Sequence, residues 1–113
     1  MANIEDFNGN LQELTAKVQG AGHLVLADFY APWCPGCRRL GQLLPGIASA
    51  NEDVTFLKVD IEKNEELKDH FGIASIPVVK FFKVEGGELK DLDTVNGPNV
   101  AEIKNKITSH KWN

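Results

Sequence analysis

The sequence predicts an α/β fold: a central mixed β-sheet of four to five strands flanked by four helices, in a single domain spanning residues 1–113. Three observations lead there. Nearly continuous apolar runs alternate with stretches of helical periodicity, the pattern of strands buried on both faces of a sheet and connected by helices. Glu85-Gly86-Gly87-Glu88 separates two strand-like runs near the end, a hairpin signal that makes the sheet mixed. Both cysteines, Cys34 and Cys37, follow the second strand directly, where open α/β sheets place their chemistry.

In chain order, residues 4–7 read as a short edge strand. Asn10 and Glu13 have the spacing of a capping box, with Leu11, Leu14 and Val18 following at helical intervals and Gly20 and Gly22 as stop signals. Leu24-Val25-Leu26-Ala27-Asp28-Phe29-Tyr30 reads as a buried strand with one carboxylate inside it. After the cysteines, Leu40, Leu43, Leu44, Ile47 and Ala48 form an apolar helical stripe, which Pro45 should kink. Val54-Thr55-Phe56-Leu57-Lys58-Val59-Asp60 is the next strand, and residues 64–71 a short helix stopped by Gly72. Strands over residues 78–84 and 89 to about 94 flank the Gly86-Gly87 turn. Asn99 and Glu102 offer a second cap-like pair, ahead of a helix carrying Val100, Ile103 and Ile107.

Composition narrows the function. Apolar content of 42% and charged content of 25% are ordinary for a globular protein. A net charge of −4 disfavours nucleic acid or an anionic membrane as partner. No run approaches the ~18 apolar residues of a membrane span. The opening Met1-Ala2-Asn3-Ile4-Glu5-Asp6 lacks a basic region followed by an apolar one, so no signal peptide is expected. Two cysteines do not make a secreted disulfide scaffold, which leaves a cytoplasmic location and a monomer as the expectations.

The Cys-x-x-Cys pair carries the chemistry. A thiol reacts as thiolate, and a helix N-terminus stabilises that charge. Cys34, at or before the first turn, is expected to attack a substrate disulfide, and Cys37, one turn in, to resolve the mixed disulfide. A zinc site is disfavoured because His23, His70 and His110 lack ligand spacing; all three read as surface residues, and no metal is expected. Asp28, flanked by apolar residues, is expected to be buried with its pKa raised into the range useful for proton transfer.

The chain resembles the thioredoxin family over nearly its whole length. The resemblance rests on the spacing among Ala27-Asp28-Phe29-Tyr30-Ala31, Trp33-Cys34-x-x-Cys37, Phe56-Leu57-Lys58-Val59-Asp60, Gly72-Ile73-x-x-Ile76-Pro77, Phe81-Phe82-Lys83 and the Gly86 turn. It implies a thioredoxin fold and a dithiol–disulfide oxidoreductase that reduces protein disulfides. It also implies that no cofactor is bound and that electrons come from NADPH through a thioredoxin reductase. It further implies that Trp33 shapes the docking surface, that Asp28 assists proton transfer at Cys37, and that Lys58 tunes Asp28. Ile76-Pro77 would have a cis peptide bond and offer Ile76 backbone to an extended substrate, with Ile61 and Gly97 completing the rim. Two other readings are a disulfide oxidase or isomerase of the same fold and a non-catalytic binding module on the same rim.

Two departures from the family pattern stand out. Pro35-Gly36 reverses the family's usual Gly-Pro order between the cysteines. Pro at the first helical position loses only an orphan N–H, and Gly36 regains one that could point at the Cys34 sulfur. The expectation is a better stabilised Cys34 thiolate and a more oxidising protein, against a helix cost of about 1 kcal/mol for Gly36 relative to Ala. Pro45 stands three residues beyond the position of the family's kinking proline, held here by Gln42.

Overall fold

The computed structural model describes residues 3–111; Met1 and Ala2 of the opening stretch, and Trp112, lie outside the described residues. The elements are β1 (Ile4–Asp6), α1 (Leu11–Ala21), β2 (Val25–Tyr30), α2 (Pro35–Ser49), β3 (Thr55–Asp60), α3 (Glu65–His70), β4 (Val78–Glu85), β5 (Glu88–Asn96) and α4 (Val100–Lys111). Sheet order is β1-β3-β2-β4-β5. β1, β3 and β2 run parallel, while β4 and β5 are antiparallel additions. This is the mixed, five-stranded thioredoxin fold.

Side-chain alternation along the strands distributes the core between two helical layers. Leu26, Phe56, Val79 and Phe81 face α2 and α4, meeting Leu40, Leu44, Ile47, Ile103 and Ile107. Val25, Ala27, Phe29, Leu57 and Phe82 face α1 and α3, meeting Leu14, Val18 and Leu67. Asp28 therefore lies on the face covered by α2, two residues beyond Leu26. Its carboxyl is placed by the same period that buries the leucine.

Local signals act as the residue types require. Asn10 and Glu13 close a full capping box, each backbone N–H donating to the other's side chain at 2.8 Å. Glu102 N–H donates to Asn99 Oδ1 at 3.1 Å at the start of α4. Gly86 and Gly87, at φ of 61° and 79°, make the β4–β5 turn, which needs the left-handed backbone that glycine adopts without penalty.

Several expectations are corrected. α1 runs through Gly20 and ends only at Gly22, whose φ of 69° gives the terminating left-handed cap. Leu43 is 44% exposed, because Leu40, Leu44, Ile47 and Ala48 already span the covered face of α2 and Leu43 falls beyond its edge. Pro45 does lie inside α2, as its place in the apolar stripe indicated, and it has no N–H to offer the Gly41 carbonyl. β5 reaches Asn96, and Leu92 is the extra residue of an irregularity opposite Phe81 and Phe82. Asn64 caps α3 without a side-chain cap bond; its amide instead donates to the Asp60 carbonyl at 2.9 Å and its Oδ1 accepts from Gly9 N–H at 3.0 Å.

His110 is also not a simple surface residue. Its Nε2 bonds Asp93 Oδ2 at 3.0 Å, and Lys106 Nζ reaches the same oxygen at 3.1 Å, tying α4 to β5. The His110 hydrogen bond, aided by Lys106, holds the Asp93 carboxyl down at about 2. A carboxyl lower in the folded chain than its ordinary 3.8 contributes stability that is complete above about pH 4 and is lost as pH falls toward 2. Asp93→Asn should cost about 1 kcal/mol at pH 7. Thermal unfolding of both proteins at pH 7 and pH 2.5 checks this: the gap should narrow at the lower pH, and an unchanged gap contradicts it.

Candidate active site

Cys34 is the N-cap of α2 and Pro35 its first residue. Cys34 is reached from the end of β2 through Ala31, whose carbonyl accepts the Cys34 N–H at 3.2 Å. Both cysteines are free thiols, 6% and 4% exposed. The Cys37 N–H donates to Cys34 Sγ at 3.2 Å, and the Cys34 thiol donates to the Ile76 carbonyl at 3.7 Å. An N-cap side chain accepts from the second or third residue of its helix, and here the third, Cys37, fills that role. The Gly36 N–H expected on the sulfur is thus not the donor found there. Gly36 matters sterically instead. A Cβ at this position would lie 3.4 Å from Pro77 Cδ and 3.8 Å from Pro98 Cδ, so α2 begins close against that wall. Pro35 lies exposed on the rim.

Cys37 is in a different electrostatic situation. Burial, and next the hydrogen bond to Cys34, push its thiol up to about 12, with the Asp28 carboxyl among the smaller contributors. A thiol held so firmly needs a base before it can attack. Asp28 lies fully buried on the α2 face, and neither carboxylate oxygen has a hydrogen-bond partner among the described residues. Burial pushes it up to about 7, against the opposing pull of the Lys58 ammonium. Asp28 and Lys58 are direct partners across the parallel β2–β3 pair. The Lys58 head lies over the Tyr30 ring, 4.8 Å from its centroid.

The rest of the predicted rim assembles around this centre. Ile61 and Ile76 pack against Ala31, Cys34 and Cys37. Trp33 is 62% exposed beside them. The Ile76-Pro77 peptide bond is cis, and the Pro77 carbonyl accepts the Gly97 N–H at 2.9 Å. That bond, with Gly97 at a φ of 80°, brings the β5–α4 loop to the cysteines. Trp33, Ile61 and Ile76 line one recess beside the cysteines, and Cys37 and Lys58 line another. Among the described residues, no three His, Cys, Asp or Glu side chains are grouped so that they could hold a metal ion.

Sequence reasoning missed Glu62, whose Oε2 accepts the Trp33 indole N–H at 2.6 Å. It also missed Arg38, whose Nη1 donates to the Pro32 carbonyl at 3.2 Å. Nothing local announces either contact. Glu62 is one of several acids after β3, and it meets Trp33 only because β2 and β3 end side by side.

A five-stranded mixed sheet with a dithiol capping the helix after its central strand, over a buried carboxyl, defines a thioredoxin-fold dithiol protein. The thioredoxin family model matches residues 6–109. The thioredoxin of Ictalurus punctatus is 32% identical over 105 residues, covering 90% of this chain and 94% of that protein. The structure of Trichomonas vaginalis thioredoxin superposes with a TM-score of 0.90 at 48% identity, covering 96% of this chain and 98% of that one. Fasciola hepatica thioredoxin gives 0.76 at 31%, covering 89% and 91%. The chain belongs to the thioredoxin family. It is a thiol–disulfide oxidoreductase, a protein-disulfide reductase acting on disulfide-containing proteins, and this reading is favoured over the oxidase, isomerase and binding-module alternatives.

Proposed function

We propose that Cys34 is the attacking thiol and Cys37 the resolving one, with Asp28 as the base that frees Cys37. Cys34 thiolate bonds to one sulfur of a protein disulfide and expels the other as a thiolate. Asp28 takes the Cys37 proton, and the Cys37 thiolate then displaces the substrate sulfur from Cys34. Two electrons leave the two protein thiols and reduce the substrate disulfide to two thiols. The observation that carries this reading is the asymmetry of the pair. Cys34 Sγ sits at a helix N-terminus and accepts the Cys37 N–H, whereas the Cys37 thiol is held near 12 beside a buried acid near 7.

Lys58 tunes Asp28 through its positive charge, which favours the carboxylate. Trp33, Pro35, Gly36, Ile61, Ile76, Pro77 and Gly97 form the surface on which an extended substrate segment lies. No cofactor is bound in this reading. Electrons come from NADPH through a thioredoxin reductase, and the protein serves electron transport and cell redox homeostasis as a single-domain monomer in the cytoplasm. The paired redox thiols and the two-cysteine composition support that setting. Among the described residues, no helix is long and apolar enough to cross a membrane. The test is NADPH oxidation with a thioredoxin reductase and a protein disulfide. Oxidation that requires the chain and stops with Cys34→Ser is expected; none above the reductase alone rejects the proposed donor.

A further inference from the structure

Within the docking surface beside Cys34 lies a cleft of about 330 Å³. Trp33, Ile61 and Ile76 are its apolar walls, and Glu62, Glu65 and Lys68 its charged groups. Ile61 and Ile76 also pack against the cysteines, so the cleft and the reacting sulfur share two walls. A side chain next to a substrate's target cysteine, one or two residues away along an extended segment at ~3.3 Å per residue, would reach into it.

The charge around the cleft is net negative. Glu62 is held at its mouth by the 2.6 Å bond from the Trp33 indole, and Glu65 opens α3 beside it. Lys68 is the single cation among these groups, leaving two carboxylates against one ammonium. Glu66 does not add to the count at the mouth, because its Oε2 accepts the Leu11 N–H at 3.0 Å on the α1 side. Arg38, also near the cysteines, instead lines a separate recess with Lys58 and Cys37. A group that suits apolar walls and an acidic mouth is an aliphatic stem ending in a cation. Lysine and arginine lay such stems along apolar surface and keep the charge at the edge, and arginine also stacks on an exposed indole.

We infer that this cleft is a specificity subsite for a basic side chain flanking the target cysteine, so that the chain favours disulfides in Lys- or Arg-bearing segments. The inference rests on the reductase reading above. Glu65 and Lys68 set the preference in opposite directions, and Glu62 both contributes charge and holds Trp33 as one wall.

The test uses the full chain, reduced beforehand, and peptides with one cysteine blocked as its mixed disulfide with thionitrobenzoate. The residues on both sides of that cysteine are Arg, Gln or Glu in an otherwise constant sequence. Cys34 sulfur bonds to the peptide sulfur and the bond to thionitrobenzoate breaks, releasing a coloured thiolate. Cys37 then displaces the peptide thiol, and the electrons given up remain accounted for as the Cys34–Cys37 disulfide. At low salt the Arg peptide should react about two- to five-fold faster than the Glu peptide, as expected for one exposed ion pair, with Gln between. The gap should shrink as salt rises. Glu65→Lys should close or reverse it, and Lys68→Glu should widen it, a change that a damaged fold would not produce. Equal rates for the three peptides, or a gap that neither variant moves, overturns the subsite alone. No reaction with any peptide overturns the reductase reading and the subsite with it.

Discussion

Cys37→Ser is expected to stop the cycle halfway and leave substrate covalently attached to Cys34. The remaining thiol still sits at the α2 N-terminus and still accepts the residue-37 N–H, since that bond comes from the backbone. The first attack is therefore retained. Release is lost, because the only group poised to displace substrate from Cys34 is the sulfur one helical turn away. Turnover should fall on the order of a thousand-fold or more, as when the nucleophile of a concerted site is removed. Mass spectrometry under non-reducing conditions should find one substrate molecule per chain, attached through Cys34. Cys34→Ser should trap almost none. Attachment through position 37 in the Cys34→Ser variant, equal to that in Cys37→Ser, would remove the distinction between the two roles.

Asp28→Asn is expected to separate stability from catalysis. A carboxyl at about 7 in the folded chain and at its ordinary 3.8 in the unfolded one binds its proton more tightly when folded. Its cost is absent below about pH 4, grows between pH 4 and pH 7, and is complete above that, at about 4 kcal/mol. Asparagine carries no such charge. The advantage of Asp28→Asn over the native chain in urea unfolding should increase by several kcal/mol from pH 4 to pH 8. A difference independent of pH would mean that the acid is not held up in the folded state. The same change should slow resolution of the mixed disulfide roughly ten- to a hundred-fold near neutral pH, the lower range for loss of a positioned base. The native rate should rise through about pH 7 as Asp28 ionises, and the variant should lack that rise.

Much of this was legible because its causes are local. The capping box at Asn10, the glycine turn at Gly86-Gly87 and the buried run around Asp28 each follow from residue type and spacing. The face on which Asp28 lies follows from a period of two along β2. What stayed hidden depends on distant partners. The N–H on Cys34 Sγ comes from Cys37, which the Pro35-Gly36 order does not alter, so the reversed dipeptide bears on packing against Pro77 and Pro98. His110 meets Asp93 only because α4 folds back along β5. Leu43 fits the helical stripe, but its exposure depends on how wide a face the sheet and α4 cover. Glu62 required knowing that Trp33 and the end of β3 are neighbours.

The Cys34–Cys37 pair reduces protein disulfides by exchanging its own two thiols. The most direct measurement is a single-turnover reaction of the reduced chain with insulin, quenched in acid, with free thiols then counted on both proteins. Each insulin disulfide opened should consume one Cys34 and one Cys37 thiol together, and Cys34→Ser should open none. Insulin left intact, or opened equally by Cys34→Ser, would contradict it.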